Sequence, residues 1–273
     1  LLAKSIAGMT AYAFSLGRVM SFLADCVHSI NEYVENVNLF QVSMGEFYGE
    51  AYEYAQLVSD KLGIDPSEWM RTQGVFMSIA NGFGVAKQQA YDLSEGLTEL
   101  AYDLSSLYNE DVSISAQRLQ SALAGEIEPV RRLGIAISEA SLKEYALAKG
   151  IDESVESMTE QGKALLRSLK LMEGAKNLGA VHDFAKTLES PANAMRVLNQ
   201  QFELFKRSIG SVLIPFLIQV IPYIQAVTAI LTDMITALAT FLGFTMPDWS
   251  ASDWGGASAG ISGVTNELEG ATQ

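Results

Sequence analysis

The feature that most constrains this fold is the stretch from Phe184 to Pro222, where a basic amphipathic helix leads into a long apolar run. Ser190 and Pro191 predict where the helix begins, since serine can cap a free backbone N–H and proline is tolerated at the first helical position. Downstream, five apolar side chains recur at steps of three and four residues, which places them on one narrow face. We call this face the seam: Met195, Leu198, Phe202, Phe205 and Ile209. Such a face is typical of helix–helix packing, so we expect the seam to be an oligomer interface.

The apolar run, residues 209–244, contains Asp233 as its single charge. Pro215 and Pro222 each remove a helical hydrogen bond and crowd the preceding turn, which predicts kinks or breaks. Within the run, residues 209–231 are uncharged, and about 20 such residues suffice to span a bilayer. The prolines and interspersed polar residues favour a conditional membrane segment over a permanent one, and a buried helical hairpin broken near Pro222 is the alternative. The membrane and kink residues expected here are Pro215, Phe216, Val220, Pro222, Val227 and Leu231.

The rest of the 273-residue chain indicates an all-α fold, because apolar residues recur at helical spacing and no strand-like alternation extends over a useful length. We predict a bundle of short helices followed by the long amphipathic helix and a proline-kinked apolar helical segment. The expected divisions are an apolar N-terminal helical segment (1–45), an acidic helical domain (46–182), the basic helix with the apolar segment (183–244) and a flexible Gly/Ser-rich tail (245–273). The first 27 residues favour a buried helix over a membrane-associating one. Because the chain begins at Leu1 and not at methionine, we expect a piece of a longer protein.

Several short signals predict helix boundaries inside the acidic domain. Gly63 and Gly125 predict helix ends, and Asp65-Pro66 predicts a start. Two capping boxes, at Ser141 and Ser157, predict two further starts.

Charge and motif content argue against catalysis and nucleic-acid binding. The net charge is −14 and most carboxylates lie in residues 25–160, whereas phosphate contacts require lysine and arginine. A row of acidic residues on one predicted helix (Asp92, Glu95, Glu99 and Asp103) is interpreted as a solvated face. The single cysteine, Cys26, excludes a disulfide framework. No serine elbow, zinc signature or nucleotide loop is present, so we expect no enzyme activity, no cofactor and no metal.

Four pieces, in order, carry a resemblance to a known family. They are ALAGEIEPVRRLGI; LKEYALAKGI followed by MTEQGKALLRSL; HDFAKTLESPANAMRVLNQQFELFKRSIG; and LIPFLIQVIPYIQAV. Together, these pieces resemble the tail tape measure proteins of long-tailed bacteriophages and prophages. That family often has Gly-Asp-Phe where this chain has His182-Asp183-Phe184.

The resemblance implies a structural virion protein that fills the tail lumen near the tip and takes part in tail-length determination and assembly. It implies a homo-oligomer, most often a trimer, with the tail tube, the distal tail-tip hub proteins and tail assembly chaperones as partners. It also implies DNA delivery across the host cytoplasmic membrane through the apolar segment, so that the protein would reach the host membrane or periplasm on infection. The alternative from the residues alone is a membrane-active pore-forming or holin-like protein.

Overall fold

The computed structural model describes residues 2–151 and 154–242; the side chains of residues 2–16, Ile224 and Ala239 are not among those described. The predicted tail, 245–273, lies outside the described residues. The helices are α1 (Leu2–Met44), α2 (Tyr48–Leu62), α3 (Pro66–Gly82), α4 (Lys87–Tyr108), α5 (Val112–Ala124), α6 (Glu128–Arg131), α7 (Glu139–Ala148), α8 (Glu160–Asn177), α9 (Asp183–Lys186) and α10 (Pro191–Phe241), with a 3-10 turn at Gly45–Phe47. The described residues contain no strand, and the all-α prediction is confirmed.

The chain divides into two compact units. One comprises residues 36–202, and the other combines residues 1–35 with residues 203–273. This division differs from the predicted one, because the first turns of the long helix α10 belong to the bundle and the end of α1 does as well. We call the unit of residues 36–202 the bundle and the other the terminal unit.

The core of the bundle is built around α4. The leucines that recur along this helix are buried at positions 93, 97, 100 and 104, whereas Leu107 is exposed. Trp69 of α3 stacks on Tyr102 of α4 with ring centroids 5.5 Å apart, and Phe184 of α9 meets Tyr102 edge-on, also at 5.5 Å. The helical periodicity of α4 therefore selects the face on which α3 and α9 pack.

Helix boundaries in the bundle follow local capping chemistry. Gly63 and Gly125 adopt left-handed conformations at the ends of α2 and α5, and Asp65 caps α3 by accepting from the Ser67 N–H at 2.9 Å. The two predicted capping boxes are displaced. Helix α7 is capped by Ser138, which exchanges hydrogen bonds with Ser141, and α8 is capped by Thr159.

In the terminal unit, α1 and α10 approach closely at Gly210. Cys26 and Ile30 of α1 are buried together with Gly210 and Ile214 of α10. The Ser29 hydroxyl donates to the Glu203 carbonyl at 3.4 Å. The predicted burial of the N-terminal helix is wrong for residues 17–25, whose described side chains are exposed or half-buried.

The prolines of the apolar run do not break the helix. Helix α10 is continuous over 51 residues with Pro215 and Pro222 inside it, and it is bent. Both proline rings are exposed, so a backbone carbonyl freed by the missing N–H can turn towards solvent. Of the two predicted outcomes, a break does not occur, whereas the predicted bent apolar helix is confirmed. The alternative of a hairpin turning near Pro222 is contradicted by the continuous helix.

Candidate functional site

The seam forms an exposed apolar face on α10. Met195, Leu198, Phe202 and Phe205 are between 51% and 59% exposed, and Ile209 is half-buried. These residues lie on one side of a continuous helix, as their spacing predicts. Whether they form an oligomer interface stays a prediction.

The opposite face of the first turns of α10 is polar and packs against the bundle. Asn193 is buried, and its amide donates to the Ser106 and Thr187 hydroxyls at 3.0 and 2.7 Å. The Arg196 guanidinium donates to the backbone carbonyls of Ser105 at 3.2 Å and Glu110 at 3.0 Å. Arg196 therefore binds one carbonyl in the last turn of α4 and one in the turn that joins α4 to α5.

Two glutamines continue this polar face by one turn. The Gln200 amide is buried and donates to the Glu68 carboxyl at 2.5 Å. The Gln201 amide donates to the Gly63 carbonyl at 3.0 Å. Residues 193, 196 and 200 thus form a second row at helical spacing, about half a turn from the seam.

This arrangement reverses the usual sidedness of an amphipathic helix. In a soluble globular protein the apolar stripe of a surface helix faces the core and the polar face meets water. Here the polar row makes the contacts within the bundle, and Met195 and Leu198 point outward. Contiguous exposed apolar surface of this kind marks a site of interaction with another surface.

The apolar run continues the exposed surface. Phe216, Val227 and Leu231 are each more than half exposed, and Val220 is half-buried. By length and composition, α10 contains a stretch apolar enough to cross a membrane, Pro191–Leu238, of which little is buried. Both sets of residues singled out from the sequence therefore lie on this helix.

The predicted solvated acidic row on α4 has one exception, Asp103. Its carboxylate is buried and accepts from the backbone N–H groups of His182 at 2.6 Å and Phe184 at 3.1 Å. Burial raises the pKa of Asp103, while the two N–H groups act in the opposite direction. The interpretation of Asp103 as a solvated residue is wrong, because it is the anchor that holds α9 on α4.

A pocket of about 200 Å³ lies beside this anchor. Its lining includes Trp69, Phe184 and the polar residues Tyr54, Glu99 and Asp103. The Tyr54 hydroxyl donates to Glu99 at 2.7 Å and Asp103 accepts from the backbone, so these three groups are already hydrogen-bonded within the protein. No group of three His, Cys, Asp or Glu residues within the described ranges is placed to hold a metal ion.

The polar row of α10 was missed in the sequence, although its signal is present. Asn193, Arg196 and Gln200 have the same spacing as the seam and lie opposite it. A polar row is normally interpreted as a solvated face, and nothing in a single sequence indicates that it meets the carbonyl ends of another helix.

Comparison of the chain with protein-family models, curated proteins and solved structures finds no match.

Proposed function

We propose that this chain is a segment of a bacteriophage tail tape measure protein, with a structural role and no catalytic one. In this proposal it assembles as a homo-oligomer, most often a trimer, inside the tail lumen near the tip. The tail tube, the tip hub and assembly chaperones are its partners. The observation that carries the proposal is the outward seam on α10, and the ordered resemblance of the four sequence pieces supports it.

The seam fits self-association because its chemistry is symmetric. Copies of an apolar face at a three–four spacing can interdigitate as knobs into holes, without charges that select a different partner. The exposed seam side chains also explain how a helix can be held by polar contacts within one copy and still provide an apolar surface to another. In the tail, such packing would line up parallel copies along the lumen.

A sedimentation equilibrium measurement tests this role. Leu198→Asp would place an unpaired carboxylate in the assembled interface, which costs several kcal/mol, so we expect dissociation constants at least 100-fold higher than those of the parent chain. Because Leu198 is 59% exposed in the single chain, the same substitution should leave its fold intact. Leu147→Asp makes the same substitution at an exposed leucine of α7, away from the seam, and serves as the control. Equal association of parent, Leu198→Asp and Leu147→Asp would exclude the seam as the interface.

The apolar run supports a second candidate function, a membrane-active protein of the pore-forming or holin-like type. The exposed stretch of α10 that is long enough to cross a bilayer favours it. Dye leakage from liposomes distinguishes the tail protein from the membrane-active protein. In a tail protein, the stored segment should cause leakage only after detergent or acid has loosened the assembly. Leakage from the untreated protein would favour the pore former, and the absence of leakage would leave the apolar run as a packing element.

A further inference from the structure

Glu68 and Gln200 form a buried polar contact between α3 and α10 that is only half completed. The Gln200 amide nitrogen donates to the Glu68 carboxyl at 2.5 Å, whereas the Gln200 amide oxygen is buried and accepts no hydrogen bond. A buried acceptor without a donor is costly. Some donor is therefore needed beside the amide oxygen of Gln200.

The groups around this contact come from four helices. Asp65 and Asp111, the N-caps of α3 and α5, are carboxylates; Arg196 of α10 is the cation; and α4 contributes the hydroxyl of Tyr102, which has no hydrogen-bond partner and is fully buried. Arg196 is committed to Asn193 and to backbone carbonyls. Glu68 thus lies in a half-buried site with two like charges near it, and burial is the main cause that raises its pKa to about 7.

The protonation state of Glu68 decides whether the contact can be completed. An ionised carboxylate is only an acceptor, so it cannot satisfy an amide oxygen; a neutral carboxyl has an O–H donor as well as an acceptor. A neutral carboxyl beside a primary amide can make two reciprocal hydrogen bonds, N–H to carboxyl oxygen and O–H to amide oxygen. The Gln200 amide oxygen, which accepts no other hydrogen bond, is the acceptor for the O–H of neutral Glu68 in this pairing.

We propose that Glu68 and Gln200 are a proton-controlled latch, which holds the first turns of α10 on the bundle when Glu68 is neutral and loosens when Glu68 ionises. The latch lies in the polar row of α10, on the side opposite the seam. Loosening it would free the turns that present Met195 and Leu198. The latch depends only on contacts inside the bundle and stands whether or not the protein belongs to a phage tail.

The direction of the pH response follows from the raised pKa of Glu68. Docking favours the protonated carboxyl, so the contribution of the latch is complete at acidic pH and is lost as the pH rises through about 7. An ordinary carboxylate hydrogen bond would respond in the opposite sense, because protonation would weaken it. The two interpretations therefore differ in sign.

Two measurements on the whole chain test the latch. Carbon-13 NMR of the glutamate side-chain carboxyls should show one of them, assigned through the Glu68→Gln variant, titrating near pH 7 and not near 4.5. Amide hydrogen exchange, expressed as protection factors so that the intrinsic pH effect is removed, should show residues 192–202 losing about tenfold protection or more between pH 6 and 8.5. The loss of protection should level off above about pH 7, where Glu68 is ionised in the docked state as well.

The Glu68→Gln variant tests whether ionisation of Glu68 causes the change in protection. A glutamine keeps a donor and an acceptor at every pH, so the protection of residues 192–202 should become independent of pH and remain at the acidic level. Glu126→Gln, at an exposed position near the end of α5, should keep the response of the parent. Titration of Glu68 near 4.5, or the same pH response in Glu68→Gln as in the parent, would overturn the proposal. If Glu68→Gln does not fold, the Glu95→Gln variant removes the signal of another glutamate whose pKa burial raises. Either one of the remaining glutamate signals then titrates near 7, or none does and the proposal fails.

Discussion

At the scale of single residues, His182 occupies a backbone conformation that a side chain rarely adopts. Its φ of 62° and ψ of 23° are left-handed, and its N–H donates to the buried carboxylate of Asp103. Histidine enters this region more often than most residues, but glycine does so without steric cost. A glycine would therefore suit position 182 better than a residue with a side chain.

The conformation of His182 leads to a stability prediction. His182→Gly should raise the free energy of unfolding by about 1 kcal/mol, because the left-handed strain is removed. His182→Val should lower it by at least a similar amount, since a β-branched side chain tolerates positive φ poorly. Urea unfolding followed by circular dichroism measures both. A loss of stability in the glycine variant would show that the imidazole makes contacts that outweigh the strain.

At the scale of helices, local signals predicted most boundaries and failed where a distant contact decides. Some helix ends depend only on residues within one turn, so the sequence alone is enough to predict them. The ends at Gly63, Asp65 and Pro191 are of this kind. By its spacing Asp103 belongs to the acidic row of α4. It is buried because α9, about 80 residues later in the chain, packs on α4 and donates backbone hydrogen bonds to its carboxylate. The prolines of α10 were predicted to kink or break the helix; at exposed positions they leave it continuous, and the helix is bent.

The same limit applies to the candidate site. The seam residues could be chosen from spacing alone, because the period of a helix places them on one face. Their exposure could not be predicted, since an apolar face is normally the one that packs inside the chain. The decisive contacts are those of Asn193 with Ser106 and of Arg196 with Ser105, each of which joins residues more than 80 positions apart.

The contact between α1 and α10 depends on the absence of a side chain at Gly210. A Cβ added there would lie 2.2 Å from the backbone oxygen of Cys26, so the helices would have to move apart. Gly210→Ala should therefore weaken this contact by about 1–3 kcal/mol.

The reactivity of the buried Cys26 thiol measures how far the contact between α1 and α10 is weakened. Because it is the single cysteine, a thiol reagent measures opening at this contact directly, and we expect labelling about tenfold faster or more in Gly210→Ala than in the parent. Gly49→Ala, in α2 with nothing within 4 Å of the added carbon, is the control and should leave the labelling rate unchanged. Equal rates in all three chains would mean that the helices accommodate the methyl group without opening.

At the scale of the whole molecule, the buried apolar core is almost entirely inside the bundle. The buried apolar residues outside it, within the described part of the chain, are Cys26, Ile30 and Ile214. The terminal unit instead carries the long exposed surface of the apolar run. This distribution separates a part with its own core from a part suited to packing on other surfaces.

The chain of residues 36–202 should consequently fold alone. It would contain Trp69 as its single tryptophan, which is buried and stacked on Tyr102, so we expect blue-shifted fluorescence and one cooperative urea transition. Leu104→Ala, at a fully buried position, should lower the free energy of unfolding by about 2–5 kcal/mol if the core is well packed. A broad transition that Leu104→Ala does not move would indicate a loosely packed state, and the bundle would then require the terminal unit. A sharp transition sensitive to Leu104→Ala would establish the bundle as an independent domain, from which α10 extends as the element that meets other surfaces.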